Sequence, residues 1–254
     1  MAATTTAVPD QPQQISSFAR IFGVLFSPGK TFEDIVRRPT WIVPLIILTI
    51  LSIGVSSLLA RKMDWRAYFQ KMDAKQVSTW DQMADDKKEQ LIETQMKWTS
   101  PITSAIGVVG PLILVLILTL VYWGAFNVLS GGGLKFSVPF AIVNYAQVPA
   151  MLGAILAIVV LALKPYGQVD PQTMTATNLA AFLPGNSAPW LTSLGASIDL
   201  FWIWCMILLA IGFSKANPRK ISKGNAAAIV FGLWLLWVLI KVGWAALSSG
   251  GHSS

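Results

Sequence analysis

The sequence predicts an all-α integral membrane protein with five transmembrane helices, preceded by N-terminal helices at the membrane interface. Three observations carry this. Between Pro39 and Leu247 lie five long apolar stretches, three without a formal charge and two with one each. Hydrophobic residues make up 54% of the 254 residues and charged residues 12%, with a mean hydropathy of +0.59, outside the range of soluble domains. A bilayer core about 30 Å thick needs roughly 20 helical residues to cross it, which is the scale of each stretch.

Residues 1–14 are small, polar and proline-containing, with neither a basic n-region nor an apolar h-region, so they read as a disordered tail rather than a signal peptide. Residues 15–38 read as two short helices. In the first, Ile15, Phe18, Phe22, Leu25 and Phe26 recur at helical spacing, with Ser17, Arg20 and Gly23 elsewhere on the wheel. It is too short to span, and fits a helix lying in the interface or one packed on the bundle. Ser27-Pro28 then supplies an N-cap with proline at the first helical position, and Phe32, Ile35 and Val36 share a face until Arg37-Arg38-Pro39 ends the helix.

The membrane domain is 39–247, with spans at about 41–59, 102–129, 138–163, 190–213 and 226–247 and a tail at 248–254. Gly110-Pro111 predicts a kink in the second span, Pro149 interrupts the third, and Ser130-Gly131-Gly132-Gly133 joins these two by a short turn. Gly107, Gly110 and Gly153 read as points of close helix packing. The loop 60–100 is the sizeable extramembrane part. There Trp65, Phe69, Met72, Gln76, Trp80 and Met83 fall near helical spacing, and a second helix is predicted from Asp85 to Lys97. Its mixed charge reads as a solvated face, the alternative being a docking surface for a partner.

Orientation rests on lysines and arginines, which by raw count tie between the two sides. The loop Ser214–Gly224 carries four cationic residues and Pro165–Pro189 none, and Arg37-Arg38 abuts the first span. These place the N-terminus in the cytoplasm and, with five spans, the C-terminus outside.

Two ionisable residues fall within spans. Asp199 and Lys241 come out at similar depth on adjacent antiparallel helices, and a facing ion pair would offset the cost of burying each. The alternatives are that Lys241 snorkels to the outer interface and that the fourth span starts later, leaving Asp199 among headgroups. A weaker polar cluster comprises Asn144, Tyr145 and Gln147 before Pro149, with Tyr122 and Asn127 late in the second span; such side chains usually bond helix to helix.

Catalytic patterns are absent. Gly23 to Thr31, GVLFSPGKT, ends like a phosphate-binding loop, but five residues separate Gly23 from Gly29 where four are required, and no strand precedes it. No GxSxG, HExxH or CxxC occurs, and the single Cys205 and single His252 exclude an intrachain disulfide and a histidine-rich metal site. The chain is therefore read as a non-enzyme with no cofactor, no nucleic-acid partner and no small-molecule ligand; its partners are the lipid bilayer and other membrane proteins.

The stretch Phe26-Ser27-Pro28-Gly29-Lys30-Thr31-Phe32-Glu33-Asp34-Ile35, followed by Arg38-Pro39-Thr40-Trp41-Ile42-Val43-Pro44-Leu45, resembles the opening of prokaryotic Yip1-domain proteins, where a PxxxFxxI helix leads through RPxWxxPL into the first of about five spans. The Gly131–Gly133 turn before a span containing Tyr145 and Pro149 is similar to the family's central region. The resemblance implies a multi-pass protein of the bacterial cytoplasmic membrane and supports five spans with the N-terminus inside. Eukaryotic relatives bind Rab GTPases through cytosolic segments, whereas this chain has only a short polar tail. Two functions remain: a non-enzymatic protein that organises or assists other membrane components, and a small transporter or channel component with Asn144, Gln147, Asp199 and Lys241 around a polar cleft. An enclosed, dry bundle favours the first.

Overall fold

A computed structural model describes residues 15–76, 80, 82–169, 175–184 and 187–250. The predicted tail 1–14, residues 77–79 of the extramembrane loop and 251–254, with His252, lie outside the described residues. The described residues are helical apart from turns, one 3-10 turn and one isolated bridge.

Helices α1 (Ser17–Phe26) and α2 (Pro28–Arg37) fall where the periodicity places them. Ser16 caps α1 by accepting from the Ala19 N–H. Pro28 occupies the first turn of α2 as expected, although the Ser27 hydroxyl makes no cap bond. Helix α3 (Ile42–Lys62) is the first span. Only Pro44 of it is buried, while Ile42, Ile46, Ile50 and Ile53 stand exposed along its length. An apolar helix this little covered by protein has lipid as its solvent.

After α4 (Trp65–Gln76), helix α5 runs unbroken from Asp85 to Ser130. This corrects two expectations: the loop helix and the second span are one element, and Trp80 and Met83 lie in a turn and a bend rather than on a helix. Pro101 and Pro111 both lie inside α5. Each removes one backbone hydrogen bond without ending the helix, as membrane helices tolerate. At 46 residues α5 is about 69 Å long, more than twice the bilayer core, so its N-terminal part stands outside the membrane. Gly131 and Gly133, with φ of +56° and +61°, turn the chain at its end, where a side chain would be strained.

The third span consists of α6 (Ser137–Ala146) and α7 (Val148–Leu163), broken at Gln147 with Pro149 in the first turn of α7. Residues Pro139 through Ala146 are all buried, so α6 is a central post with no free face. The expected continuous helix over 190–213 is instead two pieces, α8 (Pro189–Ser197) and α9 (Leu200–Ala216). Helix α10 (Lys223–Gly250) packs along both. Four helical units among the described residues are long and apolar enough to cross a membrane: Ile42–Lys62, Asp85–Ser130, Ser137–Leu163 and Lys223–Leu247, with Leu200–Ala216 a shorter apolar helix. The core lies between α2, α5, α6, α9 and α10, and at its centre Phe126 stacks on Phe213 at 4.1 Å between ring centroids.

Of the three glycines read as packing points, two behave so. A Cβ on Gly107 would meet Ser56 at 3.0 Å, and one on Gly153 would meet Phe201 at 2.9 Å. Gly110 has only Ile106 of its own helix within reach. It lines a groove between α3, α5 and α7 instead.

Candidate functional site

Among the described residues, three clusters of polar side chains are each built by a break or a turn between helices. The first is the junction of α1, α2 and α3. Arg20 points inward and is 3% exposed, because the wheel position opposite Phe18 and Phe22 faces the bundle. Its Nε donates to Asp34 Oδ2 at 2.8 Å, and the second guanidinium arm meets the same oxygen at 2.8 Å. A third nitrogen donates to the Arg38 carbonyl at 3.0 Å and to the Thr40 hydroxyl at 2.7 Å. One planar cation thereby fixes the angle between the two short helices and the entry of the first span. Tyr145 completes the junction by donating from its hydroxyl to the Ser17 carbonyl at 3.2 Å, tying α6 to the start of α1.

Residues Phe18, Phe22 and Phe26 are left on the outer face of α1, 61%, 54% and 81% exposed. The two readings of this helix thus describe its two sides, since its polar side packs on the bundle and its aromatic side is left exposed by the described residues. Sequence reasoning placed Arg20 off the apolar face and gave Asp34 no role. A charge of each sign on consecutive helices was the available signal.

The second place is the turn after α5. The Leu134 carbonyl accepts from Trp123 Nε1 at 2.8 Å and from Asn127 Nδ2, while the Leu134 N–H donates to Asn127 Oδ1 at 2.7 Å. From the α9–α10 connection, Asn217 Nδ2 donates to the Gly132 carbonyl at 2.9 Å and Lys220 Nζ to the Gly131 carbonyl at 2.8 Å. The glycine turn is thus held from both sides. Nearby, Lys215 of α9 donates to Glu33 of α2 at 2.6 Å. That bond, with the fields of Arg37 and Lys30, holds the Glu33 carboxyl below its ordinary value. A lowered folded pKa gives stability that is present above the unfolded value near 4.5 and lost as pH falls through the folded value. Because the pair is solvent-exposed, Glu33→Gln should cost under about 1 kcal/mol at neutral pH. Melting curves between pH 7 and pH 3 should show a shallower acid-side loss in that variant.

The third place is the break between α8 and α9. Asp199 caps α9: Oδ1 accepts from the Phe201 and Trp202 N–H groups at 2.9 and 3.1 Å, and Oδ2 accepts from the Thr177 hydroxyl at 2.6 Å. Residues 177–179 fold back on the break, the Leu200 N–H donating to the Thr177 carbonyl and the Leu179 N–H to the Ile198 carbonyl. The carboxylate is satisfied without a lysine. Among the described residues the ion pairs are Arg20–Asp34, Arg66–Glu89, Lys88–Asp85 and Lys215–Glu33, so Asp199 and Lys241 are not joined in one. The apolar helix starts after Asp199, close to the alternative in which the fourth span begins late.

The two residues therefore separate experimentally. Lys241→Met should leave folded yield and melting temperature in detergent unchanged or raised, whereas Asp199→Ala should lose about 0.5–2 kcal/mol with the cap. A matching loss from Lys241→Met would restore the pair.

Of the remaining cluster, Asn144 Nδ2 donates to the Phe140 carbonyl one turn back at 2.8 Å, and Tyr145 is occupied at the first junction. Asn144 Oδ1 and both polar atoms of the Gln147 amide are buried without a hydrogen-bond partner, as is the Thr119 hydroxyl. No group of three or more potential metal ligands occurs among the described residues.

The chain is 27% identical over 226 residues to the membrane protein YknW of Bacillus subtilis (strain 168), an alignment covering 87% of this chain and 89% of that protein. No solved structure matches it. The Yip1 domain model matches residues 22–245, from within α1, two residues past Arg20, to within α10. With that match across nearly the whole chain, this multi-pass membrane protein belongs to the Yip1 domain family.

Proposed function

We propose that this protein is a non-enzymatic membrane component that organises or assists other membrane proteins, presenting its α4–α5 extension as the partner surface. The observation that carries the reading is the filled centre of the bundle. Helix α6 is buried on every side, and the polar residues of all three junctions bond mainly to the chain itself, which leaves them serving the fold rather than a passing solute. The extension of α5 is the reverse, with Leu91, Met96 and Trp98 exposed on a helix that rises out of the hydrocarbon core through the headgroup layer. Apolar side chains on a solvated helix are the usual material of an interface.

In this reading α8 and α9 together make a fifth pass, because α10 runs beside both. The phenylalanine edge of α1 lies in the interface of a bacterial cytoplasmic membrane, with the N-terminus inside and the C-terminus outside. Photo-crosslinking from positions 91, 96 and 98 in native membranes, followed by pull-down, should yield one discrete protein partner, and a reporter fused after Ser254 should be active only outside. A reporter active in the cytoplasm would overturn the five-pass arrangement.

The transporter reading keeps one observation in its favour, the unpartnered amide of Gln147 at the α6–α7 break. Purified protein in vesicles that passes ions or small solutes, with flux abolished by Gln147→Leu, would displace the organising role.

A further inference from the structure

The seam between α3 and α5 holds two hollows in succession. The outer one, about 340 Å³, lies where the end of α3, the start of α4 and the middle of α5 diverge; Ala60, Trp65 and Met96 line its apolar side, and Arg61 with hydroxyls of α3 and α5, Ser57 and Ser100 among them, its polar side. Below it the helices close, with Gly107 against Ile53 and Ser56. Past that contact comes the groove of about 480 Å³ noted above, walled by side chains such as Leu48, Ile106, Pro111, Leu114 and Ala157.

The outer hollow has an unusual lining for a membrane helix pair. Its cation, Arg61, takes part in none of the four ion pairs and in no hydrogen bond among the described residues, while its basic neighbours are occupied. Lys62 donates to the Lys164 carbonyl at 3.0 Å, and Arg66 pairs with Glu89. Around Arg61 stand hydroxyls on two helices, of which only Thr99 bonds back to its own helix, at 2.8 Å to the Gln95 carbonyl. A free guanidinium facing hydroxyl donors is the chemistry that takes a phosphate oxygen pair.

The depth of the hollow narrows the source of that phosphate. Trp41 and Arg61 bracket α3 at opposite ends, 20 residues and so about 30 Å apart, the thickness of the hydrocarbon core. Trp65 and the exposed Trp98 stand beside the Arg61 end, as aromatic side chains do at headgroup level. Beneath the hydroxyls the surface turns apolar, with Ile106, Ile113 and Ile117 of α5 exposed in line.

We propose that this seam is a phospholipid site: the Arg61 hollow binds the phosphodiester of an anionic headgroup, and the acyl chains run down the exposed face of α5 toward the α3–α5–α7 groove. It borders the proposed partner surface, since Met96 lines the hollow, but shares no residue with the three polar junctions, and lipid retention by the purified protein is read without any partner.

The test uses the full-length protein purified in a neutral detergent, with native mass spectrometry and thermal melts on adding phosphatidylglycerol, phosphatidylcholine or inorganic phosphate. Wild type should retain phosphatidylglycerol at least tenfold more strongly than phosphatidylcholine and melt higher with it. Arg61→Gln should lose that preference, Ser57→Val with Ser100→Val should weaken it severalfold, and Lys97→Gln, which removes an exposed cation outside the hollow, should leave it intact. Arg61 has no hydrogen-bond or ion-pair partner among the described residues, so its variant should melt like wild type without lipid. Equal retention of the two lipids, persistence of the preference in Arg61→Gln, or equal loss in Lys97→Gln would overturn the site. An Arg61-dependent rise in melting temperature with inorganic phosphate alone would assign the hollow to a free phosphate and overturn the lipid.

Discussion

Asp34→Ala should be among the most damaging single substitutions in the chain, costing about 3–5 kcal/mol, because it strands a guanidinium that is 3% exposed. The Asp34 carboxylate is the only acid paired with Arg20 among the described residues, and the Arg38 carbonyl and Thr40 hydroxyl that remain carry no net charge. Arg20→Met should cost less. It leaves behind a carboxylate whose side chain is 20% exposed and can turn to water, while methionine fills much of the arginine stem's volume. Two apolar replacements together, Arg20→Met with Asp34→Leu, remove both charges and should recover much of what Asp34→Ala loses. Arg20→Lys keeps the charge but cannot reach Asp34, Arg38 and Thr40 from one plane, and should fall between. Size-exclusion melts of detergent-solubilised protein rank the four variants. A wild-type melting temperature for Asp34→Ala, or a double variant worse than that single one, would mean the pair is not what holds the first two helices.

The sequence carried the spans well and their interruptions badly, for one physical reason. Apolar length is additive along the chain, so α3 and α10 follow from their own residues, with α3 only a few residues longer than read. An interruption depends on what a polar group meets across space. Asp199 was weighed as half of an ion pair because its depth matched that of Lys241; its partners are instead the N–H groups of its own helix and Thr177, from a loop 22 residues upstream. The second span was read as starting at about 102, just after Pro101, yet a proline takes only one bond from a helix, and α5 continues through it. Arg20 sat on the polar side of a helix read as either lying in the interface or packed on the bundle. That side faces the protein, because in lipid the aromatic edge has no reason to turn inward. The Arg61 hollow was not legible at all, since it needs Ser57 and Ser100 on one seam, and helix pairing is not written in either segment.

The packing of α9 against α2 and α6 gives the other large expected effect. Gly212 lies where these three helices meet, and a Cβ there would stand 2.6 Å from Ile142 Cγ2 and 3.0 Å from both Phe32 Cδ1 and Cε1. Neither neighbour has room to recede, for Ile142 and Phe32 are both 0% exposed, and Ile142 sits on the helix with no free face. Two terms oppose each other in Gly212→Ala. Helix propensity favours alanine by about 1 kcal/mol, and overpacking a tight core costs about 1–3 kcal/mol. With a contact this short the second term should win, and Gly212→Leu, which adds three further carbons, should fail to fold. Gly232→Ala supplies the contrast: nothing stands within 4 Å of a Cβ at Gly232, so only the propensity gain remains and stability should be unchanged or raised. Ile142→Ala combined with Gly212→Ala should lose less than the sum of the two single changes, because removing Cγ2 opens the space the new methyl needs. If Gly212→Ala instead melts above wild type as Gly232→Ala does, α9 is not seated against α6 as closely as the 2.6 Å approach requires, and the filled centre on which the organising role rests would be open.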